Sequence, residues 1–246
     1  MEQGQGGTGR AGQRTVAVMQ PYLLPYIGYW QLIAAVDLFV VYDNIKYTKK
    51  GWINRNRMLV DGADAVFSVP LAGGSDFLDI RERELADGYE PRKLLQRFEA
   101  AYRRAPFFDA TFELVGRVLR QPQRNLFDFL HGSIVETCRH LDLGTRIVVS
   151  SGVDGADHAL KGQDRVLSLC RALDARTYVN AIGGTALYRQ EDFAARGIEL
   201  RFIKARPFEY PQFGAAFVPW LSIVDVLMFN PLPAVRERVA GGYDLL

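Results

Sequence analysis

The stretch MQPYLLPYIGYWQLIAAVDLFVVYDN, residues 19–44, decides the fold of this chain. The stretch begins at the end of an apolar run at 15–20. A turn containing Pro21 and Pro25 follows, then a helical pattern at 26–35 and a second apolar run at 38–42. Pro25 favours a helix start, because its missing N–H would have no partner in the first turn. The pattern predicts a strand, a helix and a parallel strand, and such units bind ligands at the carboxyl ends of their strands.

The rest of the chain alternates predicted strands and helices around one helical block. Strands are predicted at 65–70, 146–151, 177–180 and 198–203, and 79–85 has the alternating charges of a short strand. Helices are predicted at 91–103, 106–120, 125–141, 163–173, 187–195 and 220–229. This order predicts an α/β fold with a Rossmann-like, mostly parallel sheet flanked by helices and a helical middle insertion. We expect a disordered tail at 1–13 and a single α/β domain over 14–246, with a helical subdomain at about 90–142.

The composition narrows the classes of function. The chain has 246 residues and a net charge of +2, which argues against bulk nucleic-acid binding. Cys138 and Cys170 are the two cysteines and both lie in helical patterns, so we expect no disulfide framework and a cytoplasmic location. The sequence has no apolar run of about 18 residues, which predicts no membrane span. The histidines and cysteines do not have the spacing of metal ligands, and we predict no metal site.

Four polar stretches follow predicted strands, at 20–29, 43–57, 150–151 and 180–184. Because the carboxyl ends of parallel strands meet at one edge of a sheet, we expect these stretches to converge on a small-molecule site. Gln20 offers an amide donor and acceptor, and Tyr26 and Tyr29 lie on one helical face. Gly28 allows close approach of a ligand or backbone, while the helix N-terminus favours a phosphate or carboxylate. The alternative for the tyrosines is packing in the core or an interface.

The segment 43–57 is basic and aromatic. Its cations, among them Lys49, Arg55 and Arg57, can hold phosphate oxygens, and Trp52 can stack on a base or sugar. Asp43 can hold a metal-bridged phosphate, a ribose hydroxyl or an amine. The alternatives are a solvated loop and an aspartate that caps a turn.

Three further features can contribute to a site. Gly183 and Gly184 allow close backbone approach after a strand, although the segment matches neither the dinucleotide fingerprint nor the P-loop. Arg165 can reach an anion from the start of a helix, or lie in solvent there. Asp225 lies in an apolar segment and needs a partner, which is as compatible with a structural role as with a catalytic one.

Together these segments resemble the WbqC-like family. The resemblance is carried by QPYLLPYIGYW at 20–30, VVYDNIKYTKKGWINRNRM at 40–58, TYVNAIGGTALY at 177–188 and FVPWLSIVDVLMFN at 217–230. It covers nearly the whole chain after the tail. It implies a biosynthetic enzyme of bacterial surface polysaccharide or specialised-metabolite assembly, which transfers an acyl or aminoacyl group to an amino sugar or a similar amine.

The first unit alone also resembles the HxGH nucleotidylyltransferases and pantothenate synthetases, which have a HUP-like fold. In those enzymes two histidines at the spacing of Tyr26 and Tyr29 bind the triphosphate. Tyrosine donates a neutral hydrogen bond and carries no positive charge near pH 7, so the departure weakens the case for adenylyl transfer. The resemblance still implies a related fold and a nucleotide-like pocket.

We therefore predict a transferase, with two alternatives: a nucleotidyltransferase or adenylate-forming ligase using MgATP, and a non-catalytic ligand-binding partner. The donor is expected to be a thioester of CoA or of an acyl or peptidyl carrier protein, or a nucleotide-linked compound. The residues predicted to act in catalysis are Gln20, Tyr26, Asp43 and Asp225. Those predicted to bind ligand are Pro21, Tyr22, Gly28, Tyr29, Tyr47, Lys49, Trp52, Asn54, Arg55, Arg57, Ser151, Arg165, Asn180, Gly183 and Gly184.

Overall fold

The computed structural model describes residues 14–75, 77–214 and 216–246, and the predicted tail at 1–13 lies outside these ranges. The strands are β1 (Arg14–Met19), β2 (Leu38–Val41), β3 (Arg55–Val60), β4 (Ala63–Ser68), β5 (Arg146–Val149), β6 (Ala175–Ala181), β7 (Glu199–Ala205) and β8 (Tyr243–Leu245). The α-helices are α1 (Ile27–Ala34), α2 (Pro91–Tyr102), α3 (Phe108–Leu119), α4 (Leu126–Leu141), α5 (Gly162–Ala172), α6 (Gln190–Ala194), α7 (Ile223–Phe229) and α8 (Leu232–Gly241). Short 3-10 helices cover Ile80–Glu82, Ser150–Gly152 and Ile182–Leu187.

Six strands form one sheet in the order β5-β2-β1-β6-β7-β8. Every pairing in it is parallel except the antiparallel pair of β7 and β8. The predicted α/β fold with a Rossmann-like, mostly parallel sheet is thereby confirmed. The chain builds outward from β1 to β2 and β5, then crosses back to place β6 on the other side of β1. The strand order therefore reverses between β1 and β6, which is where open parallel sheets bind ligands.

Both faces of the sheet are buried at its central strands β1 and β2, because helices cover each face there. Ala17, Phe39 and Val41 belong to a large core cluster that includes α1 and the helices of the middle insertion. Val16 and Val40 point to a second cluster, formed with α5 and α6. Alternate residues of a strand face opposite sides, so burial on both faces requires the unbroken apolar runs seen in β1 and β2.

The structure corrects four details of the predicted elements. The predicted strand at 65–70 pairs with β3 in a separate antiparallel hairpin, so the basic segment ends inside a strand. Residues 79–85 contain a 3-10 helix at Ile80–Glu82, with only isolated bridges, instead of a strand. The predicted helix at 187–195 is shorter, and 182–187 forms a 3-10 helix. The helix α8 and the edge strand β8 were not predicted.

The predicted helical block is present as α2, α3 and α4. Pro91 opens α2 at a position where a missing N–H costs nothing, and the Asn125 side chain caps α4 by accepting a hydrogen bond from the Asp128 amide at 3.2 Å. Among the helices of the described ranges, none combines the length and apolar character needed to cross a bilayer.

Candidate functional site

The turn between β1 and α1 is fixed from three directions. Leu24 has a left-handed backbone with φ of 43°, and its carbonyl accepts hydrogen bonds from Asn56 Nδ2 at 3.1 Å and Ser222 Oγ at 2.7 Å. The Pro25 carbonyl accepts a further bond from Trp30 Nε1 at 3.0 Å. The hairpin, the N-cap of α7 and the helix α1 therefore hold the turn in a conformation that a bulky residue rarely adopts.

A cavity of about 350 Å³ lies at the carboxyl ends of β1 and β6; we call it the switch-point cleft. The turn after β1 lines one side of it, and the double-glycine bend after β6 lines the other. Its lining includes Gln20, Tyr22, Tyr26, Gly28, Tyr29, Tyr42, Asn180, Gly183, Gly184, Leu187 and Tyr188. Eight of the predicted site residues are thus brought to one cleft.

Three hydrogen-bond donors on this cleft have no acceptor among the residues that the structure describes. Gln20 Oε1 accepts from Tyr22 at 3.4 Å, and Asn180 Oδ1 accepts from the Ala181 amide at 2.9 Å. Within the described part of the chain, neither carboxamide nitrogen has a hydrogen-bond partner. The buried Tyr178 hydroxyl donates to Tyr188 Oη at 3.3 Å, which leaves the proton of Tyr188 available. The cleft can therefore donate three hydrogen bonds to a ligand oxygen or nitrogen.

The described lining of the switch-point cleft carries no charge. Burial raises the pKa of Tyr22, Tyr26, Tyr29, Tyr42 and Tyr188, so these phenols are neutral at pH 7. The residues described as lining the cleft include no lysine, arginine, histidine or carboxylate. Neutral donors suit a carbonyl oxygen, which becomes an oxyanion during acyl transfer, better than they suit a triphosphate.

Glycine is required at position 28 by a neighbouring side chain. A Cβ built on Gly28 would lie 2.5 Å from the ring and hydroxyl of Tyr26. The space that we predicted for a ligand or backbone is thus occupied by the Tyr26 ring. Gly184 makes room in the same way for the amide of Asn180. Both glycines set the positions of cleft side chains.

Replacing Gly28 with alanine is expected to move Tyr26 without unfolding α1. The clash is with a side chain that can rotate, and alanine favours a helix over glycine by about 1 kcal/mol. The unfolding midpoint should stay the same or rise, while the tryptophan emission changes because the Tyr26 ring lies 5.8 Å from that of Trp220. Gly88→Ala is the matched control, since a Cβ there meets nothing within 4 Å. An emission change that persists in a Tyr26→Ala background would contradict this account.

A second cavity, of about 300 Å³, adjoins the cleft; we call it the aromatic cavity. It is lined by Tyr22, Pro25, Tyr26, Trp52, Asn56, Arg57 and Trp220. Tyr22 and Tyr26 line both spaces, so the two form neighbouring compartments with a shared wall. The predicted proximity of the basic segment and the tyrosine turn occurs here, through Trp52 and Arg57.

The other predicted residues of the basic segment bind their own loop. The buried Tyr47 donates to Asn54 Oδ1 at 2.7 Å, and Asn54 Nδ2 donates to the Val69 carbonyl at 2.8 Å. Arg55 donates to the carbonyls of Gly51 and Lys50, at 2.9 and 2.7 Å. Lys49 is exposed and Pro21 is buried in the turn. None of these five predicted residues lines either of the two spaces in the described part of the chain.

Asp43 lies at the carboxyl end of β2, next to Tyr42 of the cleft wall. Its Oδ1 accepts from Ser150 Oγ at 2.7 Å and from the Ser151 amide at 2.9 Å, and Arg81 lies 3.7 Å from its Oδ2. Burial raises the pKa of Asp43, but the bonds from Ser151 and Ser150 outweigh it, so the net pKa is lowered. This carboxylate stays ionised and fixes β2 to β5.

Arg165 lies behind the cleft wall. It is 8% exposed, its Nη1 donates to the Asn44 carbonyl at 3.0 Å, and its guanidinium carbon lies 5.6 Å from the Tyr42 ring centroid. In the described ranges, no carboxylate forms a salt bridge with it, and its Nε has no hydrogen-bond partner. The guanidinium therefore supplies positive charge close to the edge where the polar stretches converge.

The structure places Asp225 in a separate buried network. Its Oδ2 accepts from Tyr102 at 2.9 Å, and its Oδ1 accepts from Tyr210 at 2.7 Å and from Gln212 at 2.6 Å. Burial raises the pKa of Asp225, and the three hydrogen bonds oppose that rise only in part. In the described ranges, Asp225 lines neither the switch-point cleft nor the aromatic cavity. The contacts give it a structural position.

Three aromatic residues that line the two spaces were not predicted as site residues: Tyr42, Tyr188 and Trp220. Tyr42 is the last residue of the apolar run before Asp43, and its position at a strand end is a signal that sequence reasoning can use. Tyr188 ends the 177–188 motif, and Trp220 lies in the 217–230 motif. Their proximity to the cleft depends on chain crossings that no local pattern records.

Comparison with known proteins agrees with the sequence motifs. The model of the WbqC-like protein family matches residues 20–237. The chain is also similar to the uncharacterized protein Rv1507c of Mycobacterium tuberculosis, with 28% identity over 220 residues, which cover 88% of this chain and 94% of that protein. No solved structure matches. On the match across 20–237, which includes the strand-end turn, the double-glycine bend and the aromatic cavity, the chain belongs to the WbqC-like protein family.

Proposed function

We propose that this protein transfers an acyl or aminoacyl group from a thioester to an amine. The proposal is supported by the switch-point cleft, whose described lining is uncharged and in which Gln20, Asn180 and Tyr188 each have a donor with no acceptor among the described residues. Acyl transfer develops negative charge on one carbonyl oxygen, and prepositioned neutral donors stabilise that charge. Membership of the family supports a biosynthetic role, and its resemblance to polysaccharide and specialised-metabolite proteins supplies an amino sugar as the class of acceptor.

In the proposed reaction the neutral amine attacks the carbonyl carbon of the thioester. A C–N bond forms, and the carbonyl oxygen becomes an oxyanion that accepts hydrogen bonds from the carboxamides of Gln20 and Asn180. The C–S bond then breaks, the carbonyl is restored, and the proton lost by nitrogen leaves with the thiol. Tyr26 shapes the wall of the cleft. Asp43, being fixed and ionised, orients β2 and Tyr42, while the buried Asp225 has no direct part in this scheme.

The described lining of the switch-point cleft, which is uncharged, also favours acyl transfer over the reaction of an ATP-dependent ligase. A triphosphate in the switch-point cleft would face phenols and carboxamides, with no cation among the described lining residues. Phosphoryl transfer depends on cations that neutralise the developing charge. The donor is therefore a thioester of CoA or of a carrier protein, and the enzyme works in the cytoplasm where such thioesters are made.

The test supplies thioester and amine without ATP. Acyl-CoA and acyl-carrier-protein donors are incubated with an amino sugar, and free thiol and the mass of the amide product are measured together. We expect thiol release and amide formation in equal amounts. Pyrophosphate release from ATP and a free acid, with no thiol release from any thioester, would overturn the proposal in favour of an adenylate-forming ligase.

A further inference from the structure

The aromatic cavity contains two exposed tryptophans. Trp52 and Trp220 are 40% and 63% exposed, while the third tryptophan, Trp30, is fully buried. Both exposed rings line the same space, with Tyr22 and Tyr26 as its wall toward the cleft. Burial would stabilise such large apolar rings, so their exposure beside a cavity indicates a ligand surface.

The backbone of Trp220 supports this conclusion independently. Its φ is 62°, a left-handed conformation that costs a bulky residue free energy. Its carbonyl accepts a hydrogen bond from Arg57 Nη2 at 3.0 Å, and the residues that follow it, Leu221 and Ser222, are buried. The surrounding structure thus holds an exposed ring in a strained position, which is common at binding sites.

The positive charge beside the aromatic cavity indicates which kind of ligand it can bind. Residues 46–57 carry five lysines and arginines and no acid. Arg55 and Arg57 each lie 5.6 Å from the Trp52 ring centroid. Among the described residues, a carboxylate forms a salt bridge with Arg57, from Asp64 at 3.3 Å, and none does so with Arg55. A flat aromatic surface flanked by guanidinium groups matches a nucleobase with attached phosphate better than a neutral sugar or an apolar peptide.

We propose that Trp52 and Trp220 bind the nucleobase of a nucleotide-bearing substrate and that Arg57 contacts its phosphate. Because Tyr22 and Tyr26 separate this cavity from the switch-point cleft, a ligand held by its base extends its other end toward the cleft. CoA thioesters and nucleoside diphosphate sugars both have this chemistry. The inference deepens the proposed function, on which it rests for the reaction at the far end of the ligand.

Tryptophan fluorescence of the full chain tests the proposal, because Trp30 is buried and quenching reports on the other two rings. ADP, UDP and CoA are titrated, with ribose 5-phosphate and pyrophosphate as ligands without a base. We expect saturable quenching only by the base-bearing ligands. Tighter binding of CoA than of UDP identifies a thioester source, and the reverse order identifies a nucleotide sugar. Equal binding of pyrophosphate, or no binding of any ligand, overturns the proposal.

Three variants sharpen the result. Trp220→Gly should weaken the affinity for ADP roughly 10- to 100-fold. It should also raise the unfolding midpoint, because glycine adopts positive φ without strain. Trp52→Leu should weaken the same binding without that rise, and Arg57→Gln should weaken the binding of ADP more than the binding of adenosine, because adenosine has no phosphate. Phe77→Leu, an exposed aromatic outside the cavity, is the matched control and should change nothing.

The two proposals fail separately. If a base-bearing ligand quenches the fluorescence but no amide product forms, the proposed transfer reaction is refuted and the proposed nucleobase site is supported. If a thioester yields the amide and neither Trp220→Gly nor Trp52→Leu changes the rate, the proposed nucleobase site is refuted and the proposed transfer reaction is supported.

Discussion

Replacing Asp225 with alanine is expected to lower the free energy of unfolding by about 3 kcal/mol, because Tyr102, Tyr210 and Gln212 each lose the acceptor of a buried hydrogen bond. For a chain of this size the unfolding midpoint should fall by about 6–12 °C. The Tyr102 hydroxyl also accepts from the Leu59 amide at 2.7 Å, so the loss should extend to β3 of the hairpin. Thermal unfolding followed by circular dichroism measures the effect.

Asp225→Asn distinguishes a structural carboxylate from a catalytic one. The variant keeps the shape and one acceptor, so we expect a smaller loss of stability and nearly normal amide formation. Asp87→Ala, which removes an exposed ion pair with Arg124, is the control and should leave the midpoint unchanged. A large loss of activity in Asp225→Asn at an unchanged midpoint would instead assign Asp225 to catalysis.

Because the pKa of Asp225 is raised, the difference in stability between the wild type and Asp225→Asn should depend on pH. Burial makes the folded state bind this proton more tightly than the unfolded state, in which the carboxyl has its ordinary pKa of 3.8. The unfolded state therefore binds fewer protons in that range, and stability falls as pH rises through the folded pKa. The difference in stability between the wild type and Asp225→Asn should widen as the pH is lowered from neutral toward 4. A constant difference would contradict the raised pKa.

Replacing Gln20 and Asn180 together with alanine is expected to lower the rate of amide formation by about 10²- to 10³-fold. Both carboxamides would be removed from the oxyanion, which forms only during the reaction. The effect should therefore appear in kcat, with little change in KM. Steady-state kinetics with the thioester and amine measure both constants.

The single variants should be non-additive, because both donors act on one oxygen. Asn230→Ala is the matched control, since its amide bonds Val226 and lies outside the described lining of the cleft. The Asn180 variant also loses the bond to the Ala181 amide, so its unfolding midpoint is measured in parallel. A rise in KM at constant kcat would mean that the carboxamides bind substrate without stabilising the oxyanion.

Some features that were not predicted have a clear local signal. The hairpin turn of β3 and β4 is Asp61-Gly62, with φ of 49° and 80°, and Asp-Gly between two strand patterns is a strong sign of a two-residue hairpin. That turn would have moved 65–70 out of the main sheet. The 3-10 helix at Ile80–Glu82 has a comparable signal, because Asp79 and Glu82 form a capping box.

Other features have no local signal. Nothing near Asn180 in the sequence indicates that its amide packs on Gly184, or that its nitrogen has no hydrogen-bond partner among the described residues. From the sequence, Gly28 is expected to leave space for a ligand or a backbone, because a glycine does not show which group occupies the space beside it. In the structure the Tyr26 ring occupies that space. Asp225 needed a partner on physical grounds, but the partners come from α2 and from the segment before α7.

By itself, the sequence determined the α/β class, the parallel strands and the edge at which polar stretches gather. Apolar runs and helix starts are local properties, and parallel strands place their carboxyl ends together whatever lies between them. Only the tertiary structure decided which of those residues share a cleft, that Trp220 lies beside Trp52, and that Asp225 is buried elsewhere. Gln20 and Asn180, Trp52 and Trp220, and Tyr102 and Asp225 are each more than a hundred residues apart, and their geometry follows from the packing of the whole chain.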